Sequence, residues 1–157
     1  RPEIFGEVLY DVCDSLRRHG IKNVLIINGH AGNNGPARER IDGFRERLGI
    51  NLLFHSYWDA YTREFIEEHL DSGHYPGHAA EFETSIAMAA FPENVDWDGV
   101  DYDAADLPSA HQTDSEHDRT YHQEAKLATA AKGKLLIDVA VDWVADKLQQ
   151  MISESEN

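Results

Sequence analysis

The chain has 157 residues, with 14 basic and 29 acidic side chains and a net charge of −15. That excess argues against nucleic acid or an anionic membrane surface as a partner, because either needs a basic patch, and no basic run is longer than Arg17–Arg18. The longest unbroken apolar stretch, Ile86–Phe91, falls far short of the roughly 18–20 residues that span a bilayer, and the single cysteine, Cys13, allows no internal disulfide.

These features point to one acidic α/β domain working in the cytoplasm. Only five of the basic residues are lysine, a surface that suits high salt as readily as an acidic mesophile. The chain opens as Arg1-Pro2-Glu3-Ile4, with no initiator methionine and already inside a helix-start signal. A piece of a longer protein is the expectation.

The first predicted element is an amphipathic helix from Pro2 to His19, stopped by Gly20. Ile4, Val8, Val12 and Leu16 repeat at helical spacing, with Phe5, Leu9 and Cys13 beside them in one wide apolar stripe. Asn23-Val24-Leu25-Ile26-Ile27-Asn28 then forms a continuous apolar run, the pattern of a strand buried on both faces of a parallel sheet. A glycine-dense loop, Gly29–Pro36, leads into a helix that turns Ala37, Ile41, Phe44 and Leu48 inward and stops at Gly49. Residues 51–58 read as a second strand, completing a right-handed βαβ unit. Asp59 is placed to cap a short helix carrying Tyr61, Phe65, Ile66 and Leu70. A further helix is expected over Glu81–Ala90, closed by Pro92, followed by a weakly patterned surface segment over Asp101–Arg119. After Gly133 a last helix should carry Leu135, Leu136, Val139, Ala140, Trp143, Val144 and Leu148 on one side, with Ser153–Asn157 a frayed tail.

Ligands of open parallel sheets bind beyond the carboxyl ends of the strands. Two loops reach that edge: Gly29–Pro36 carries His30, and the segment from His74 to Glu83 carries His74, His78, Glu81 and Glu83. A glycine-rich loop after a strand can cradle phosphate, but Gly29–Gly35 has neither the GxGxxG nor the GxxxxGK[ST] spacing. Imidazole and carboxylate are ligands of Zn²⁺ or Mn²⁺, so His30 and Glu83 are candidate metal ligands. A carboxylate in the first turn of a helix, as at Glu81 or Glu83, can equally serve the helix dipole.

Asn28-Gly29-His30-Ala31-Gly32-Asn33 resembles the NGHGGN segment of the creatininase (creatinine amidohydrolase) family, and His78-Ala79-Ala80-Glu81-Phe82-Glu83-Thr84-Ser85 resembles its HAGEFETS segment. Ser56-Tyr57-Trp58-Asp59 falls where the family carries a similar aromatic stretch. The resemblance implies a three-layer α/β/α sandwich with a mainly parallel sheet. It also implies an amidohydrolase that cleaves a non-peptide or cyclic amide C–N bond with two divalent metal ions, zinc or manganese, bridged by the attacking hydroxide. By the same resemblance His30 ligates one metal, Glu83 ligates the other, and the catalytic His78 contacts substrate and delivers a proton to the leaving nitrogen. The implied partners are a small-molecule amide and further copies in a homo-oligomer.

Departures from the family pattern argue against creatinine as the substrate. Where creatininase has a substrate-touching tyrosine and a metal-serving glutamate, this chain has Ala31 and Gly32, and its substrate-closing tryptophan corresponds to His74. A formamide of the deformylase type or a modified peptide fits better. The family's N-terminal Glu-x-His and Asp ligands have no counterpart in the right place. The only match, Glu67-Glu68-His69, follows the NGHAGN segment and reads as a solvated helix face. The chain is therefore expected to be the C-terminal portion of a longer enzyme, or a subunit whose partner supplies the N-terminal half. The competing reading is a non-catalytic α/β ligand- or subunit-binding module that kept the fold and lost the site.

Overall fold

A computed structural model describes residues 1–75, 79–96 and 123–155. They divide into two compact units, Arg1–Asp59 with Trp143–Asn157, and Ala60–Asp142. The predicted surface segment Asp101–Arg119 lies outside the described residues.

The first unit contains α1 (Pro2–Arg18), β1 (Asn23–Asn28), a 3-10 turn (Ala31–Asn33), α2 (Asn34–Leu48), β2 (Asn51–Ser56) and a second 3-10 turn (Tyr57–Ala60). β1 and β2 pair in parallel, with Asn23 opposite Asn51 and Asn28 opposite Ser56, so β1-α2-β2 is the expected βαβ unit. Ala37, Ile41, Phe44 and Leu48 are all buried, as the helical period requires, and the last three pack with Cys13, Val24, Ile50 and Leu52. α2 begins at Asn34, ahead of its predicted start, because Pro36 fits the first turn, where its missing N–H is not needed. Gly49 then takes a left-handed conformation, φ +61°, and ends the helix.

Three expectations for this unit need correction. The apolar stripe of α1 splits: Cys13 is buried, with Leu9 and Leu16 packed against the core, whereas Ile4, Val8 and Val12 are 49%, 57% and 53% exposed. One helix face can address one core, and Leu9, Cys13 and Leu16 take it. β1 is not covered on both faces, since Ile27 is 39% exposed. β2 ends at Ser56 rather than residue 58, because Asp59 folds back to accept the Ser56 N–H at 3.1 Å. The outer edge of β2 is blunted as well. Asn51 donates its N–H to the Lys22 carbonyl, which turns the Leu52 carbonyl away from β1, and Arg45 donates to it from Nε (3.1 Å) and Nη2 (2.9 Å). An arginine on that carbonyl deters a further strand.

The second unit contains α3 (Arg63–His69), α4 (Glu81–Ala90), a 3-10 turn (Pro92–Asn94) and the first part of α5 (Ala130–Ser155), whose residues from Trp143 group with the first unit. The cap of α3 is Thr62, whose hydroxyl oxygen accepts the Phe65 N–H at 3.2 Å, and not Asp59. Tyr61, Ile66, Leu70, Phe82 and Leu136 are the larger buried apolar side chains among the described residues of this unit. The Tyr61 hydroxyl donates to the Leu136 carbonyl at 2.7 Å, and burial pushes its pKa up to about 12. α5 starts at Ala130, so Gly133 lies inside the helix rather than before it, and Leu135 and Leu148 are exposed. The expected frayed tail is helical as far as Ser155. Glu67 is exposed and paired with Arg63 at 2.6 Å, as expected of a solvated helix face. Among the described residues no helix is long and apolar enough to cross a membrane.

Candidate functional site

The loop after β1 is built around one side chain. Asn28 is 5% exposed, and its amide grips the peptide of the residue two positions on. Oδ1 accepts the His30 N–H at 3.2 Å, and Nδ2 donates to the His30 carbonyl at 2.9 Å. The same amide donates to Asn34 Oδ1 (3.0 Å) and Ser56 Oγ (3.1 Å) and accepts from Asn33 Nδ2 (3.1 Å). Ser56, wholly buried at the end of β2, closes the network by donating to Asn34 Oδ1 at 2.8 Å. Asparagine offers a separate donor atom and acceptor atom side by side on a short stem; aspartate lacks the donor, glutamine is one carbon too long, and a serine hydroxyl has a single oxygen for both roles. The network therefore fixes the backbone from which the exposed His30 side chain projects.

Gly32 completes the loop. A Cβ on residue 32 would lie 2.8 Å from His30 Nε2, so this ring orientation and a side chain at 32 exclude one another. Ala31, its neighbour, is exposed. Asn28→Asp, which keeps the shape but puts an acceptor in place of Nδ2, should cost about 3 kcal/mol in urea unfolding, since three acceptors would lose or oppose their partner in a buried site. It should also accelerate hydrogen exchange at the His30 amide.

The other motif is clamped in a similar way. Ala79 adopts φ +52°, a left-handed conformation that costs a non-glycine residue about 1–2 kcal/mol. Its N–H donates to Glu83 Oε2 at 2.9 Å, and its carbonyl accepts from the Thr84 hydroxyl at 3.0 Å. Glu83 thus holds the entry to α4 while its charge sits at the positive end of that helix. Glu81, two residues earlier, is fully buried. It accepts from the backbone N–H groups of Asp71 (3.1 Å) and Ser72 (2.7 Å) and from Lys132 Nζ. Burial, the largest influence, works to raise its pKa, but the Lys132 ammonium and these amides outweigh it and hold it below the ordinary carboxylate value. For Lys132 burial works downward, while Asp71 and Glu81 prevail and raise it.

His30, Ala31 and Gly32 therefore share one loop of the first unit, whereas His74 and Glu83 belong to the second. His78 lies outside the described residues. Imidazole and carboxylate suit a divalent transition metal, yet among the described residues no three His, Cys, Asp or Glu side chains gather as a group that could hold one. The described residues supply individual donors rather than a finished centre. Cys13 is buried, and burial pushes its thiol pKa up, which leaves it a core residue.

The structural parts of Asn28 and Ser56, and the pairing of Glu81 with Lys132, were not singled out by sequence reasoning. A signal existed for the first two, because each closes its strand in the same period-two phase as the buried Val24 and Leu52 and so marks a polar pair at the core end of the sheet. None existed for Glu81 with Lys132, whose partnership spans 51 positions.

A parallel βαβ unit that presents a histidine beyond the carboxyl end of its first strand places the first unit in the α/β class. The family profile described as creatinine amidohydrolase matches residues 1–148. The creatinine amidohydrolase of Pseudomonas putida is 30% identical over 155 residues, covering 89% of this chain and 60% of its own length. A solved creatinine amidohydrolase (creatininase) superposes with a TM-score of 0.73 at 27% identity, and a tryptophan-to-phenylalanine mutant creatininase with 0.71 at 28%; each match covers 96% of this chain and 64% of the other. The chain belongs to the creatininase family, and it has the creatininase-like α/β fold. It spans a little under two thirds of the length of these relatives.

Proposed function

We propose that this chain forms part of a metal-dependent amidohydrolase that opens a C–N bond of a small non-peptide or cyclic amide. The observation that carries the reading is the family match over residues 1–148, within which both the His30 and the Glu83 loops fall. His30 and Glu83 are the donors assigned to two divalent metal ions, zinc or manganese, which when bound would polarise the amide carbonyl and acidify water. On the protein side, Asn28 fixes the peptide that carries His30, and Gly32 leaves room for its ring. His78 is assigned to deliver a proton to the leaving nitrogen. Ala31, Gly32 and His74 stand where larger groups of creatininase meet substrate or metal, which favours a formamide or a modified peptide over creatinine.

The reading is tested by metal analysis of the native polypeptide and by two variants. About two tightly held divalent metals per polypeptide are expected. His30→Ala and Glu83→Ala should each lose bound metal and amide hydrolysis, with the far-ultraviolet circular dichroism spectrum unchanged. A protein that takes up neither Zn²⁺ nor Mn²⁺ after reconstitution overturns it, and wild-type metal content in either variant removes that residue from the site.

A further inference from the structure

His74 stands on the segment between α3 and α4, and its Nδ1 lies 2.7 Å from Oε1 of Glu124, in the helical stretch 123–125. The two side chains sit in opposite surroundings: that of His74 is 65% exposed, that of Glu124 only 10%. The second oxygen of the acid, Oε2, is buried and meets no hydrogen-bond partner among the described residues. Burying a carboxylate with one oxygen unserved is costly.

The backbone on either side of the imidazole is already held. The His74 N–H donates to Ser72 Oγ at 3.3 Å, the Ser72 N–H donates to Glu81, and the Tyr75 hydroxyl donates to the Tyr61 carbonyl at 3.1 Å. What remains free is the ring itself, and Glu124 is what meets it. An ionised carboxylate only accepts, so its partner nitrogen must carry the proton. In the neutral ring that leaves Nε2, on the exposed edge, with its lone pair outward.

We infer that Glu124 is a positioning residue: it holds the His74 ring in the Nδ1–H tautomer, so that Nε2 stands outward as an acceptor and base for an N–H or O–H group of the ligand. This rests on the reading above in placing His74 beside the amide. A carboxylate behind an imidazole is a recurrent way of setting tautomer and raising the basicity of the outer nitrogen.

The test is a long-range ¹H–¹⁵N correlation spectrum of the labelled chain at a pH where imidazoles are neutral, with the His74 signals assigned through His74→Gln. In the wild-type protein His74 should show a protonated Nδ1 and a bare Nε2. Glu124→Gln, which retains the size, should give a mixture of tautomers, and Glu124→Leu should favour the Nε2–H form. Diethyl pyrocarbonate, followed by peptide mass mapping, should acylate His74 more slowly in both variants than in the wild type. An Nε2–H tautomer in the wild-type protein overturns the inference, because it would mean that Glu124 carries the proton. An unchanged tautomer and acylation rate in Glu124→Gln overturns it too, even if the leucine variant fails to fold. Neither readout involves metal or amide turnover, so a failure of the amidohydrolase reading would appear separately.

Discussion

Gly133→Ala is expected to lower the unfolding free energy by about 3 kcal/mol, the top of the usual range for overpacking. Gly133 lies in the first turns of α5, where the helix crosses α4. A Cβ there would fall 1.8 Å from the Ser85 carbonyl oxygen, 2.4 Å from its carbon and 2.9 Å from Ala89 Cβ. Two of those three atoms are backbone and cannot swing aside, and Ser85 is fully buried. The helices would have to part, and the bond from the Thr129 N–H to Ser85 Oγ, 3.2 Å long, would stretch with them. Helix propensity alone predicts the opposite sign, since alanine is better than glycine in a helix interior by about 1 kcal/mol. Gly43 in the exposed face of α2, where an added Cβ would meet nothing within 4 Å, supplies the contrast: Gly43→Ala should stabilise by that propensity difference. Urea unfolding of the two variants decides between crossing and propensity, and a stabilised Gly133→Ala would rule out the close crossing.

How much of this was legible in the sequence follows from how local each determinant is. The α2 core face, the left-handed Gly49 and the parallel β1–β2 pair depend on contacts close in the chain, and their periodicity displayed them. The split stripe of α1 was not legible, because seven apolar residues on one helix do not say which of them a single core will use. Asp59 also looked like a helix cap, but it serves the Ser56 amide, and Thr62, three residues later, is the cap. Both residues are good capping types, and only the position of the turn distinguishes them. At the candidate site, the motifs pointed to His30 and Glu83, yet what holds their loops is a set of amides and carboxylates with no spacing rule. Glu81 shows this best: beside Glu83 in the sequence it read as one more acid at a helix start, and it proved to be a buried ion-pair partner.

That ion pair leads to a second large effect. Lys132→Met, which keeps the stem and deletes the charge, should cost about 3 kcal/mol near neutral pH, the lower end for breaking a buried pair, because the Asp71 and Ser72 amides still serve Glu81. Glu81 is fully buried, and the side chain of Lys132 is only 19% exposed. The pH dependence has two arms with opposite causes. Glu81 has a lowered folded-state pKa, so its contribution is complete above its unfolded value, about 4, and is lost as the pH falls through the folded one. Lys132 has a raised folded-state pKa, so its contribution is complete below its unfolded value, about 10, and is lost as the pH rises through the folded one. Between those limits the pair's contribution should be flat. In Lys132→Met the burial that works to raise the Glu81 pKa is no longer opposed by the ammonium, and Glu81 takes up a proton more readily. The stability gap between variant and wild type should therefore narrow as the solution is acidified, because a neutral Glu81 no longer needs the cation. Glu81→Gln combined with Lys132→Met should recover part of the loss for the same reason. Urea midpoints across the pH range check both arms, and a gap that widens toward acid would show that Glu81 is not the group the lysine serves.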